Sequence, residues 1–399
     1  MTVNYNLCVS TSHPWTLFRL LLNWRGSLWK AVGIETILWL MLYLLVNMFH
    51  RNFLTDDQRR TLEDVAKQLD QHLHDIPIDF MLGFFVSIIV TRWLTLFNNV
   101  GLIENVAHVI SCCVRGSDDK TRLRRTNIIR YCVVAQLLAF RDISVPVRKR
   151  FPTSEAIVNA GFLFPHENEE LKNVKCVATN MGKHGCLYGK TWIPVQWAVS
   201  LLKLARYKDE SISSDLLLGK CLEELLRFRT CLLTLRNYDW VPIPIMYPQL
   251  VFLAVHLFFF IAVLSRQVVP TDSSFLSSLD AVIPLMSCLQ FTFYMGWLKV
   301  AEALLNPFGE DDDDFECNFL LDRNLIVGIA IVNEGDCCLP KQENDPLWRV
   351  PMEPLYNKMQ RTANPLVGSV VGVEFSFQER ETRTVSSSGA DYETDFVAI

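Results

Sequence analysis

The run from Ile76 to Trp93 constrains this chain more than any other stretch. It is apolar over most of its length, long enough for one helix to cross a bilayer, and has Pro77 where such a helix would begin. At helical spacing Ile76, Phe80, Gly83, Phe84, Ser87 and Thr91 fall on one stripe, which passes from bulky apolar groups to glycine and hydroxyls. Lipid suits the aromatic end of that stripe and gives nothing to the hydroxyl end. Small residues of this kind let membrane helices approach closely. The same pattern would also serve as a pore wall with an apolar constriction. On this segment alone, helix packing is the favoured reading.

Three further runs resemble it in length and polarity: Ala31 to Phe49, Val241 to Leu264 and Leu279 to Leu305. Together the four explain why 50% of the residues are hydrophobic, which is high for a soluble protein. Pro242, Pro244 and Pro248 interrupt the start of the third run. Prolines in a span leave carbonyls that neighbouring helices or water must satisfy, which points to a bundle. Lys and Arg concentrate before the first run, between the second and third, and after the fourth, so both termini and the large middle region are expected in the cytosol. The expected architecture is an all-α, multi-pass plasma-membrane protein with four transmembrane helices per subunit and a large cytosolic helical domain. Residues 1–30 form a cytosolic N-terminal segment and 31–97 the first two spans. Residues 98–239 form the cytosolic domain, with helices such as Thr126 to Phe140 and Leu216 to Leu235, and 240–305 form the last two spans. Residues 306–335 hold an acidic segment and a following helix, and 336–399 a cytosolic tail largely of loop.

Several function classes drop out. A net charge of −5, with no basic motif interleaved with aromatics, argues against a nucleic-acid partner. No nucleophile–base pairing or phosphate loop points to an enzyme, and no repeat of spans points to a secondary transporter. The 12 cysteines are scattered, form no small secreted framework, and are expected as reduced thiols. Cys176, His184 and Cys186 fit no zinc spacing. His72 and His74 read as solvated rather than pH-sensing. Residues 1–30 lack the short apolar core and small-residue cleavage site of a signal peptide. Trp15 to Leu28 instead reads as an amphipathic helix, either on a membrane surface or packed on the chain's own cytosolic domain.

After the fourth run comes Asn306-Pro307-Phe308-Gly309-Glu310-Asp311-Asp312-Asp313-Asp314-Phe315-Glu316. Adjacent carboxylates repel unless solvated or bound to a cation. The run lacks the alternation and central glycine of an EF-hand loop. Three readings stand level: an acidic first turn for a helix from Phe315 to Leu325, favoured by the helix dipole; a solvated charge run; and a calcium site of hard carboxylate and carbonyl oxygens.

The run from Gly296-Trp297-Leu298-Lys299-Val300-Ala301-Glu302 to Glu316 carries a family resemblance. So do Leu20-Leu21-Leu22-Asn23-Trp24-Arg25-Gly26-Ser27, Ile76-Pro77-Ile78 through Gly83-Phe84, Thr91-Arg92-Trp93, Lys149-Arg150-Phe151-Pro152 and Asp239-Trp240. In this order the chain resembles the bestrophins over about residues 1–335. The resemblance implies a calcium-activated anion channel, passing chloride and other small anions, built as a homopentamer around one central pore. It implies that Ile76, Phe80 and Phe84 form an apolar neck and that Leu216 forms a cytosolic aperture. It also implies a calcium clasp made of the Asp311 and Asp314 side chains with the carbonyls of Ser10, Ala303 and Asn306. On that basis the packing stripe becomes a pore wall.

The chain departs from the family in places. Leu94 and Val100-Gly101-Leu102-Ile103 replace a second tryptophan and a Leu-Pro-Trp-Pro run below the neck, and the loop from Asn173 to Lys190 is longer. Asp79 flanks the neck stripe, where a ring of carboxylates facing the lumen would repel anions. These departures sustain an alternative, a non-conducting calcium-binding regulatory or scaffold subunit. In the tail, Pro365 to Val371 is apolar enough to dock on the channel, and a disordered linker is the competing reading. The final Phe396-Val397-Ala398-Ile399 matches the apolar carboxyl terminus that a PDZ-type partner accepts.

Overall fold

Fourteen α-helices and no strand make up the described residues of the computed structural model, which are 5, 9, 14–73, 75–174, 189–267, 284–334 and 340–344. In order they are α1 (Pro14–Leu21), α2 (Leu28–Asn52), α3 (Asp56–Leu73), α4 (Ile78–Asn98), α5 (Glu104–Cys113), α6 (Asp119–Ile143) and α7 (Val145–Arg150). Then come α8 (Ser154–Asn159), α9 (Pro165–Asn173), α10 (Trp192–Tyr207), α11 (Asp215–Trp240), α12 (Met246–Ser265), α13 (Leu285–Leu305) and α14 (Cys317–Glu334). The described helices all belong to one compact unit within residues 1–339.

Local chemistry sets the helix starts. The side chains of Ser27, Asp118 and Ser214 accept the backbone N–H groups of Lys30, Thr121 and Leu217, filling donors that the first helical turn leaves open. Prolines set a boundary that the hydropathy profile placed elsewhere. The third apolar run begins at Val241, yet α11 continues to Trp240 and α12 starts only at Met246, because Pro242 and Pro244 bar a helix between them. Phe315 likewise precedes α14 rather than opening it.

Among the described residues α2, α4 and α12 are long and apolar enough to cross a membrane. The expected fourth span corresponds to α13, whose described part begins at Leu285 and ends in a more polar stretch holding Lys299 and Glu302. These four helices share one core, where Val32, Trp39, Tyr43, Phe85, Ile89, Val255, Phe259, Phe291 and Met295 are buried together. The polar tips of Trp39 and Tyr43 are satisfied. Trp39 stacks on Phe291 at 5.1 Å and donates its indole N–H to the Phe259 carbonyl at 3.0 Å. Glu35, near the start of α2, accepts from Lys299 of α13 at 2.8 Å.

The middle region folds around α6. From Cys132 to Phe140 this helix is buried on every side, as a helix apolar all round must be. It packs against α5, α10, α11 and α14 on one flank, and against α7, α9 and the end of α4 on the other. At Gly328 an added Cβ would sit 2.7 Å from Ile129 Cγ2 and 3.3 Å from Ile103 Cγ2, so α14 approaches α6 closely only through glycine. Gly328→Ala is expected to lower thermal stability by about 1–3 kcal/mol, the usual cost of overpacking, readable as a lower melting temperature of the purified protein.

One buried ion pair braces this domain. Arg130 grips both Glu167 oxygens at 2.6 Å, and Glu167 also accepts from the Tyr131 hydroxyl at 2.8 Å and the Phe164 N–H at 2.9 Å. Burial pushes the Glu167 carboxyl up, but the Arg130, Phe164 and Tyr131 hydrogen bonds outweigh it and hold it below its ordinary range. Glu167→Gln should therefore destabilise the fold by about 3–5 kcal/mol, because Arg130 is left as an uncompensated buried charge. A depressed carboxylate contributes its stability above the ordinary glutamate value of 4.5 and loses it as acid titrates the folded state. The melting-temperature gap between wild type and E167Q should thus shrink on going from neutral pH to pH below about 4.

Candidate functional site

The helix that carries the opening stripe has two unlike faces. Ile78, Leu82, Phe85, Val86, Ile89 and Leu96 are buried, holding α4 against its neighbours. On the other side Phe80 is 66% and Phe84 55% exposed, their ring centroids 4.5 Å apart, with Ile76 half-buried just before the helix. Further along, Ser87, Thr91 and Thr95 donate their hydroxyls to the carbonyls of Gly83, Ser87 and Thr91 at 2.9, 2.8 and 2.9 Å. Each polar group is thereby satisfied on its own helix. Ile76 packs against the core of the four helices, but from Phe80 to Thr91 the stripe lies largely bare within the chain, which corrects the packing reading for that part. A groove of about 370 Å³ runs beside it, lined by Phe84, Ser87, Ile88, Thr91, Arg92, Thr95, Tyr238 and Ile243.

Two contacts fix the orientation of α4. Arg92 donates to the Tyr238 carbonyl at 2.8 Å and lies over the Tyr238 ring at 5.2 Å, tying α4 to the end of α11. The carboxylate of Asp79 accepts the hydroxyl of Tyr294 on α13. Asp79 therefore has a partner inside its own helix bundle. At the opposite end of α11, Leu216 sits in the first turn and is 73% exposed.

The acidic segment is an ordered turn between α13 and α14. The Asp311 N–H donates to Asp314 Oδ2 at 2.7 Å, the Asp314 N–H to the Asp311 carbonyl at 3.3 Å, and the Phe315 N–H to the Pro307 carbonyl at 2.8 Å. Asp312 is taken by Lys30 at 2.5 Å and Arg25 at 3.7 Å, and Glu310 by Lys149. Asp314 differs: it is 6% exposed and forms no ion pair with a described lysine or arginine. Burial pushes its carboxyl above the ordinary range, the Asp311 N–H pulls the other way, and the charges of Asp311 and Asp313 add to the rise.

A Cβ on Gly309 would lie 2.8 Å from Asp314 Oδ2 and 3.7 Å from the Asn306 carbonyl oxygen, so the glycine keeps open a space where these oxygens converge. The last carbonyls of α13, Ala303 among them, have no partner within the helix and sit at its negative end. This donor set is all hard oxygen and fits calcium. Among the described residues no three Asp, Glu, His or Cys side chains gather, so a cation here would draw on backbone oxygens beside Asp311 and Asp314. Ser10 lies outside the described residues, as do His74, Cys176, His184, Cys186 and the tail segments from Pro365 onward.

Aromatic packing joins this turn to α4. Phe315 contacts Trp93 at 5.4 Å, Phe97 at 5.8 Å and Phe308 at 5.6 Å, and Trp93 stacks on Phe97 at 5.8 Å. Just beyond, Asn324 of α14 donates to the Gly101 carbonyl and to Gln136 Oε1, both at 2.8 Å, while Gln136 donates to the carbonyls of Val100 and Gly101 at 2.7 and 2.9 Å. Sequence reasoning gave no role to Tyr294 or this amide pair, and to Phe315 only that of a helix start. A lone glutamine in the run Val133-Val134-Ala135-Gln136-Leu137-Leu138 was the available signal for the last.

The profile of the family described as "Bestrophin, RFP-TM, chloride channel" matches residues 1–334. The chain belongs to the bestrophin family. It is similar to Bestrophin homolog 24 of Caenorhabditis elegans, 47% identical over 390 residues, which cover 96% of this chain and 60% of that relative. Bestrophin homolog 15 of the same organism is 44% identical over 389 residues, covering 96% of this chain and 72% of the relative. Among solved structures, mutants of a bacterial bestrophin homolog from Klebsiella pneumoniae superpose with TM-scores of 0.54 and 0.53 at 16% and 17% identity. They cover 77% and 74% of this chain and 98% and 99% of theirs. At that identity the likeness is one of fold.

Part of the departure after Trp93 is absorbed into packing, although Leu94 and Leu102 stay exposed. Val100 and Ile103 are buried, and Gly101 takes a left-handed turn with φ of 79°, where a Cβ would lie 3.2–3.3 Å from Leu232, Gln136 and Phe228. The altered segment below the neck position is an ordered junction of α4, α5, α6 and α14.

Proposed function

We propose that this bestrophin is a calcium-activated anion channel in which five copies surround one pore. The single observation that carries the reading is the bare outward face of α4, bearing Phe80, Phe84, Ser87 and Thr91 opposite a fully packed face. A membrane helix with a satisfied hydroxyl stripe and uncovered aromatics is suited to line a water-filled path. Ile76, Phe80 and Phe84 form the neck, where a ring of apolar side chains gates by dewetting. Leu216 at the first turn of α11 forms a second constriction.

Asp311 and Asp314 hold calcium together with the carbonyls of Ala303, Asn306 and Ser10. The ion biases the pore open by binding that state better, and Phe315 against Trp93 and Phe97 is the physical link from turn to pore helix. Family membership supports chloride as the permeant ion, and the donor set supports calcium. The Asp79 carboxylate accepts the Tyr294 hydroxyl of α13, which holds it toward the subunit's own helices.

The test is current through the purified full chain in planar bilayers, with calcium stepped on the side of the helical domain under a chloride gradient. Current that appears with calcium and reverses near the chloride potential is the expected result. Bound calcium without current would favour the regulatory-subunit alternative.

A further inference from the structure

We propose that α1 is a lipid-binding element seated among the headgroups where α2 enters the bilayer. Trp15 and Phe18 share one side of this short helix and Leu22 follows in the turn that ends it, with Trp15 72% and Leu22 85% exposed, and Trp24 is exposed just beyond. Leu20, on the opposite side, is half-buried against the chain. So many large apolar groups in one uncovered patch require a partner other than water.

The placement of α1 selects lipid as that partner. Trp29, in the first turn of α2, donates its indole N–H to the Leu21 carbonyl at 2.8 Å and pins the end of α1 against the start of a membrane-length helix. From there α2 turns Ile34, Ile37, Leu38, Met41 and Leu45 outward, a bare apolar surface along a helix of membrane length. Tryptophans and an exposed arginine (Arg19) at that level match the composition of membrane–water interfaces, where an apolar body sits in the acyl boundary and a polar tip stays wet. The same N-terminal turn holds Asp312 through Arg25 and Lys30, so the membrane surface and the acidic segment share one anchor.

The experiment uses the full chain in phosphatidylcholine nanodiscs containing lipid brominated either near the headgroup or near the chain end. The difference in emission between wild type and Trp15→Phe isolates Trp15. Its emission is expected to be lost to bromine, more strongly with the shallow label than with the deep one. A second variant, Phe18→Ser with Leu22→Ser, removes exposed side chains, Phe18 resting on Trp15 at 5.7 Å, and should keep the fold while reducing that quenching. Trp15 emission insensitive to both lipids would overturn the proposal, whether water or a second copy of the chain covers the face; so would quenching by the deep label alone.

Discussion

Calcium-dependent current should disappear when Asp314 is replaced by asparagine, and the calcium-free protein should remain folded. The carboxylate is buried without an ion pair to a described lysine or arginine. Removing such a charge relieves a desolvation cost, and the asparagine oxygen can still accept the Asp311 N–H. The melting temperature without calcium is therefore expected to stay level or rise. With calcium, wild type should gain stability by mass action, and D314N should lose that gain. Losing one of two charged ligands is expected to weaken calcium binding, since affinity follows the ligand charge count. Asp311→Ala should act in the same direction, since the Asp311 N–H that meets Asp314 survives the change. Asp312→Ala is the control, because Asp312 is already taken by Lys30 and Arg25. A fall in calcium-free stability for D314N with the calcium shift intact would show that Asp314 serves the fold alone.

The second large effect is expected at the neck. Phe80→Ala together with Phe84→Ala should open a leak, with zero-calcium current approaching the calcium-activated level. An apolar ring blocks ions by refusing them water, and truncating its side chains widens and wets it. Since both rings project from a face that packs on nothing in the chain, the double variant should melt near wild type. Phe85 next door makes the contrast: it is fully buried, and Phe85→Ala should cost about 3–5 kcal/mol of stability. Single-channel recording and melting curves on the same preparations separate the two outcomes. Unchanged calcium dependence in the Phe80/Phe84 variant would remove the neck from the gate.

Much of this architecture is legible in the residues alone. Apolar runs of membrane length gave α2, α4 and α12 to within a few residues, because backbone groups in lipid must be satisfied within the helix, and that demand is local. Thr126 to Phe140 and Leu216 to Leu235 lie inside α6 and α11, helices that capping residues then extended at their starts. Proline positions decided where α11 ends and α12 begins more firmly than hydropathy did.

What the sequence left level, only the tertiary structure decided. Phe80, Phe84, Ser87 and Thr91 share a stripe in any helix, and whether that stripe packs depends on which side of α4 the other helices occupy. Phe85, Ile89 and their neighbours took that side, and left the stripe bare. Asp79 gained a hydrogen-bond partner only because α13 brought Tyr294 beside it from 215 residues away in the chain. The acidic run showed its charge in the sequence but not its asymmetry. Folding gave Asp312 and Glu310 cationic partners and buried Asp314 beside Gly309, because those contacts come from α2, α7 and the turn itself. Periodicity is written along the chain; the choice of neighbour is made by packing between segments far apart in it.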